Sequence, residues 1–247
     1  MSTEKSGAKS RKGARQRAEE NALPEAGAEG AVPEEAQQSP GVEKVATPFE
    51  WAVRLEAAGD TVGAMRAFRE VLAAEPGHLR ARLRLAALLE QTGELEQALE
   101  QYEAARVTAP EDVDVLLGMG SVLLALRRFD AAEKELRRAQ RLDPNRAEAC
   151  LLLGMVLYRR GLYAQAESEL SRAIALDGQN AAAHYYRGEA LNHLGRIDEA
   201  LSMLMRAVEL DPSNARAYYT MGILYDRKNL REEAAAMYRV ARQLGGR

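Results

Sequence analysis

Side chains that could act as nucleophiles or bind metals are few in this 247-residue sequence. It contains one cysteine, Cys150, and three histidines, His78, His184 and His193. No HExxH or CxxC motif occurs, so the sequence predicts neither a metal site nor a cofactor. Cys150 and His184 could form a nucleophile and its base only if their side chains were adjacent. Whether they can meet depends on the helices that carry them.

The elements that carry these residues repeat every 34 positions. Counting Ala181 as position 1, position 8 is always glycine or alanine, and position 20 is always alanine, from Ala64 to Ala234. A fixed period of this length indicates a solenoid of stacked units rather than a globular domain. Proline, or once glycine, marks the end of each unit at Pro76, Pro110, Pro144, Gly178 and Pro212.

Each unit has the pattern of two helices. Large residues recur at positions 11 and 24 on two helical faces, and the small residues at positions 8 and 20 allow close approach of the two backbones. Position 15 is glycine in four copies and Arg127 or Asn229 in the others, which predicts a turn. The proline ends the second helix, and Asp112, Asn180 and Asn214 at position 34 can cap the next one. The unit is therefore predicted to be a helix–turn–helix hairpin.

The spacing and residue types resemble the tetratricopeptide repeat, whose signature is W-x2-L-G-x2-Y, then A-x3-F, then P. We therefore expect an all-α fold, an α-solenoid of six tandem helix–turn–helix repeats in residues 45–247 behind a disordered N-terminal tail. Cys150 and His184 share position 4 of adjacent copies, so they should lie about 10 Å apart, far beyond the roughly 3 Å that catalysis needs. We interpret both as interior packing residues and the protein as non-enzymatic. The copies are residues 45–78, 79–112, 113–146, 147–180, 181–214 and 215–247.

The resemblance implies a concave face formed by the first helix of each copy, with positions 2, 5, 9, 12 and 13 commonly facing it. Position 5 is apolar throughout and becomes tyrosine in the last two copies. An apolar row among mixed charges suits a protein or peptide segment, because apolar groups supply burial and polar groups fix the register. The alternative is that these tyrosines only cover the helix surface. The predicted partner-binding residues are Leu117, Leu151, Met155, Tyr158, Tyr185, Glu189, Asn192, His193, Arg216, Tyr219, Asp226 and Arg227.

Residues 1–44 differ in composition from the repeats. The first 17 contain six Lys or Arg and one Glu, and residues 18–43 contain seven Glu with no Lys or Arg. This segment has too little apolar surface to offset the entropy of ordering, so we expect a disordered tail. It also lacks the apolar core of a secretory signal. The basic block, Lys5–Arg17, could contact nucleic acid or an acidic partner, or serve only as part of a solubilising tail.

Charge and composition narrow the partner classes. The net charge of −3 gives no general attraction to nucleic acid or membranes, and no apolar stretch of about 18 residues could cross a bilayer. The single cysteine fits a reducing compartment. We expect a cytoplasmic, monomeric adaptor that binds a protein or peptide, and not nucleic acid. Two other functions stay open: a nucleic-acid tether acting through Lys5–Arg17, and a targeting subunit for an enzyme in trans.

Three residues carry further expectations. Thr47 and Pro48 read as N-cap and first residue of the first helix, which makes Trp51 a core residue of that helix. Gly118 is an extra glycine inside a helix, where it should cost about 1 kcal/mol relative to alanine, and the pattern gives no reason for it. In the last helix, Tyr238 is expected to be the only large exposed residue on an otherwise polar outer face.

Overall fold

The computed structural model describes residues 46–245, so the predicted tail of residues 1–44 lies outside the described residues. Within the described range the chain forms twelve α-helices and no β-strand, which confirms the predicted all-α fold. None of these twelve helices is long and apolar enough to span a bilayer. The helices are α1 Pro48–Ala57, α2 Thr61–Ala74, α3 Leu79–Gln91, α4 Leu95–Thr108, α5 Val113–Ala125, α6 Phe129–Leu142, α7 Ala147–Arg159, α8 Tyr163–Leu176, α9 Ala181–His193, α10 Ile197–Leu210, α11 Ala215–Arg227 and α12 Arg231–Gly245.

The helices stack as six antiparallel pairs in an α-solenoid. Each helix packs against the helix before it and the helix after it. From α3 onward, the first helices of successive pairs also contact each other, and no comparable contact joins the second helices in this part of the chain. The first helices therefore converge and form the concave side, while the second helices cover the convex side.

In the last four pairs, the glycine at position 8 lies directly beneath the large residue at position 24 of the same pair. A Cβ atom added to Gly154 would lie 2.5 Å from Leu170 Cγ, and one added to Gly188 would lie 2.7 Å from Leu204 Cγ. Both leucines are fully buried. The alanines at position 20 are 0–1% exposed in all six pairs. The predicted close approach of the two helices at these positions is confirmed.

The helix ends also follow the sequence pattern. All six position-15 residues have a left-handed backbone, with φ of +59° for Arg127 and Asn229, so these two keep the turn that glycine makes elsewhere. Asp112, Asn180 and Asn214 each accept a hydrogen bond of 3.0 Å from the backbone N–H three residues later. These side chains satisfy donors that the first turn of a helix leaves free, as predicted.

Trp51 is not a core residue, contrary to the prediction. The helix begins as expected, with Thr47 as N-cap and Pro48 in the first turn, but Trp51 is 54% exposed. At the same position in the next pair, Leu85 is buried and shares a cleft with Leu72 of α2, the preceding helix. No described helix precedes α1, so the corresponding face of Trp51 has nothing to pack on.

Gly118 has a structural reason that the period does not reveal. A Cβ atom at this position in α5 would overlap Cε1 and Cζ of Tyr102, a residue of α4. Tyr102 is only 5% exposed, so its ring has little freedom to move away. The glycine therefore leaves room for the tyrosine ring against α5.

We expect Gly118→Ala to destabilise the fold by about 1 kcal/mol, although alanine favours helix, because the added methyl group collides with the Tyr102 ring. Urea denaturation measures this change. In a Tyr102→Ala background, where the ring is absent, the same substitution should instead stabilise the helix. Stabilisation of equal size in both backgrounds would contradict the proposed contact.

Candidate partner-binding groove

The concave side contains a cavity of about 670 Å³ at the C-terminal end of the stack, hereafter the end cavity. It lies between α9, α11 and α12. Five of the residues predicted to bind a partner line it together: Tyr185, Glu189, Asn192, Arg216 and Tyr219. Tyr185 is half-buried, whereas Tyr219 is 56% exposed. The cavity thus combines two tyrosines with an acid, an amide and a base.

Three other predicted residues lie further along the concave side. Met155 lines a second cavity of about 630 Å³ between α5 and α7, together with Arg159. Leu117 is buried and borders a third, smaller cavity. Leu151 is half-buried against the core. The structure therefore distributes these three along the groove instead of bringing them into the end cavity.

The remaining predicted residues are held by contacts within the chain. Tyr158 Oη donates to Glu189 Oε2 at 3.1 Å, Arg227 Nη1 donates to Asn192 Oδ1 at 2.8 Å, and Asp226 Oδ2 accepts a hydrogen bond from α12. These bonds fix the side chains that border the end cavity.

His193 lies outside the end cavity. Its ring stacks on Tyr163 of α8, with ring centroids 4.1 Å apart and an interplanar angle of 1°. A partner could reach His193, because its side chain is exposed, but the stacking already covers one face of the ring.

Glu189 borders the end cavity with one carboxylate oxygen hydrogen-bonded to Tyr158 and the other buried. Its Oε1 atom is buried and has no hydrogen-bond partner among the described residues. Burial, and next the Glu189 carboxylate, raise the pKa of Tyr185 to about 12 and also raise the pKa of Tyr158. Both hydroxyls therefore stay protonated donors at neutral pH.

Tyr238 is part of the site and was missed by the sequence reasoning. The prediction that it is the one large exposed residue of the last helix is wrong, because it is half-buried, while Leu244 of α12 and Leu230, just before α12, are more exposed. Its ring lies over Gly222, 5.5 Å from the ring of Tyr219, and its hydroxyl donates to Asp226 at 2.8 Å. Position 24 packs over the glycine at position 8 in the third, fourth and fifth pairs, and this rule could have identified it.

The second helix of the last pair lines the cavity because no described helix follows it. In an earlier pair, Leu136 and Ala139 occupy positions 24 and 27 and are fully buried. Their counterparts Tyr238 and Ala241, with Arg242 beside them, instead border the end cavity. The cavity therefore extends from the concave groove onto the end surface of the stack.

Cys150 and His184 are interior residues, as predicted. Cys150 is fully buried, and its sulfur accepts a hydrogen bond from Gln140 at 3.4 Å. His184 is 6% exposed, and its Nε2 lies 3.2 Å from the carbonyl oxygen of Gly178. Each side chain bonds a different partner, so the two do not form a nucleophile–base pair.

Several solved structures resemble this chain. YrrB, described as a TPR protein with an unusual peptide-binding site, is 28% identical over 72% of this chain and 92% of its own, with a TM-score of 0.56. MamA is 26% identical over 67% and 91% of the two chains, with a TM-score of 0.57. The Cut9–Hcn1 hetero-tetramer of APC/C shares only the fold, at 18% identity over 80% of this chain and 39% of that one, with a TM-score of 0.74.

Sequence comparisons agree with the structural ones. Family models described as tetratricopeptide repeat match residues 55–119 and, with overlaps, residues 117–181, 151–215 and 194–246. Together these matches cover most of the helical region. A comparison with curated protein sequences finds no match.

Proposed function

The chain belongs to the tetratricopeptide repeat family, whose members bind protein partners, and from this premise we propose that it is a non-enzymatic adaptor that holds a partner segment in its concave groove. The end cavity carries the proposal, because it joins two tyrosine rings to unlike polar groups on one accessible surface. The likeness to YrrB, described as having a peptide-binding site, supports a peptide ligand.

The end cavity suits an extended or helical peptide segment for physical reasons. The rings of Tyr185, Tyr219 and Tyr238, with Ile223, offer apolar area at low entropy cost. Arg216 can donate to peptide carbonyl oxygens, and Glu189 can accept from peptide N–H groups. An interface of this kind gains affinity from the rings and orientation from the polar groups.

The proposal also concerns the location of the protein, its oligomeric state and the two alternative functions. Cytoplasmic location and a monomeric state remain predictions from the sequence. The alternative role as a nucleic-acid tether depends on Lys5–Arg17, which lie outside the described residues. No feature of the described residues favours that role or a targeting role in trans over peptide binding.

Cysteine footprinting tests where a peptide binds. The only native cysteine is fully buried, so a cysteine introduced as Ile223→Cys in the end cavity should react selectively with a maleimide. A twelve-residue peptide, selected on the full-length protein from a randomised display library, should slow this reaction in proportion to the bound fraction.

The matched control is Val62→Cys on α2, a site that is 75% exposed and far from the cavity in sequence and stack. Its reaction rate should not change with peptide. Protection at Val62→Cys but not at Ile223→Cys would place binding elsewhere and contradict the proposal.

A further inference from the structure

A third cavity on the concave side, of about 280 Å³, contains an excess of acidic groups. We call it the acidic pocket. Glu90 of α3, Asp114 of α5 and Glu148 of α7 all border it, with Arg146 as the one basic residue. None of the three acids is among the residues predicted to bind a partner. The pocket lies in the middle of the stack, apart from the end cavity.

The hydroxyl group of Tyr102 points into the acidic pocket. The ring comes from α4, passes against Gly118 and is almost completely buried, and the residue lines the pocket beside the three acids. Among residues 46–245 no side chain or backbone group hydrogen-bonds this hydroxyl, whose oxygen stays accessible from the pocket. Burial, and then the charges of Glu90, Glu148 and Asp114, raise the pKa of Tyr102, so its hydroxyl stays protonated at neutral pH.

The basic and hydroxyl groups present do not balance the three acids. Arg146 Nη2 donates to Asp114 Oδ1 at 2.6 Å and lies 3.4 Å from Glu148 Oε2. Ser121 Oγ donates to Glu90, which supplies a bond but no charge. Burial raises the pKa of Glu90, the Ser121 bond opposes this, and Glu148 adds to it. With one guanidinium among three carboxylates, the pocket keeps a net negative charge at neutral pH.

The acids at the pocket mouth can turn toward a ligand. The side chains of Asp114 and Glu148 are 61% and 54% exposed. Ion pairs this exposed contribute little to stability. A ligand's cation could therefore replace Arg146 as the partner of these two acids at little cost in free energy. The pocket volume lies just below the range of about 300–1,000 Å³ typical of small-molecule sites, which suits a single long side chain. The described residues contain no group of three or more acids, histidines or cysteines placed to hold a metal ion.

From this geometry we infer that the acidic pocket binds one lysine or arginine side chain of the segment held in the groove. The carboxylates of Glu90 and Glu148 supply the opposite charge, and Tyr102 Oη accepts one hydrogen bond from the bound cation. This inference rests on the proposed function and specifies its partner: a segment with a basic residue upstream or downstream of the residues that fill the end cavity. Glycine at position 118 has the role of admitting the tyrosine that completes the pocket.

The test uses the displayed twelve-residue library and the full-length protein, in buffer with EDTA so that divalent cations cannot contribute. Selected peptides should carry a lysine or arginine at a constant distance from an apolar residue. Replacing that basic residue with norleucine should weaken binding about tenfold in isothermal titration, equivalent to about 1.4 kcal/mol, because its charge-assisted hydrogen bonds are lost. On the Glu90→Gln/Glu148→Gln variant the same replacement should have almost no effect.

Two further variants make the result specific. Glu96→Gln/Glu103→Gln removes two exposed acids of α4 that do not line the pocket, and it should behave like the wild type. Tyr102→Phe keeps the ring and removes only the hydroxyl. This variant should bind the basic peptide a few-fold more weakly than the wild type does. Its affinity for the norleucine peptide should equal that of the wild type.

Two results would overturn the inference. One is a set of selected peptides without a basic residue. The other is a norleucine effect of equal size on the wild type and on Glu90→Gln/Glu148→Gln. If such peptides still protect Ile223→Cys, the proposed function stands and only the acidic pocket is wrong. If no selected peptide protects Ile223→Cys, the proposed function fails, and this inference fails with it.

Discussion

The double substitution Tyr185→Ala and Tyr219→Ala is expected to weaken binding of a groove peptide by about 30-fold or more, equivalent to about 2 kcal/mol. The two rings line the end cavity from α9 and α11, and truncation removes both the ring contacts and the hydroxyl groups. Isothermal titration with a selected peptide measures the loss, and circular dichroism should show unchanged helix content.

The helix content should survive this change because neither tyrosine occupies position 8 or position 20, where the paired helices approach most closely. Tyr219 is more than half exposed, whereas Tyr185 is half-buried at the edge of the core, with its ring 5.1 Å from that of Tyr186. Trp51→Ala is the matched control, since Trp51 has nearly the same exposed fraction as Tyr219 but lies at the opposite end of the stack. The affinity of the Trp51→Ala variant for the selected peptide should equal that of the wild type.

Wild-type affinity in the double tyrosine variant would show that these rings do not hold the peptide. Binding would then have to use another surface, such as the convex side, where Val107 of α4 is 84% exposed. Loss of binding in both the double variant and Trp51→Ala would instead indicate a general effect on the stack.

The fold could be predicted from the sequence because the same local chemistry recurs in each unit. Position 8 must be small where position 24 is large, as Gly188 and Leu204 show, and this constraint appears at every interval of 34 residues. Cap residues such as Asp112 and Asn214 act on the backbone three residues away, so they need no knowledge of distant contacts. Six copies of a local rule leave little ambiguity.

The repeat pattern fails to predict burial where a side chain packs against a neighbouring unit that only the interior units have. Trp51 is exposed and Tyr238 borders a cavity for one reason: each lies on a face that packs against the next unit, and that unit is absent from the described range. The 34-residue pattern cannot predict such exposure at the ends of the stack, because it describes a unit that has a neighbour on both sides.

The candidate site divides in the same way. Tyr185, Glu189 and Arg216 could be placed from their positions in the first helices, and they do meet in the end cavity. The contact between Gly118 and Tyr102 could not be predicted, because it joins position 6 of one unit to position 24 of the unit before. Gly118 is the only glycine at position 6 among the six copies, and its contact depends on the direction of one ring.

The other large effect concerns the alanine at position 20. Ala132→Leu is expected to lower the free energy of unfolding by about 1–3 kcal/mol, because Ala132 is completely buried in α6 and added methylenes must displace close-packed neighbours. The preceding residue provides the control: Ala131 is exposed on the same turn, so Ala131→Leu should change stability by less than about 0.5 kcal/mol. Both variants have the same composition and nearly the same helix propensity, so the difference between their urea midpoints isolates the packing cost.

Because each pair is stabilised mainly by its neighbours, the cost at a central pair should also loosen the pairs on either side, visible as faster amide exchange in α5 and α7. Equal midpoints for the two variants would mean that position 20 is not the closest contact between the paired helices.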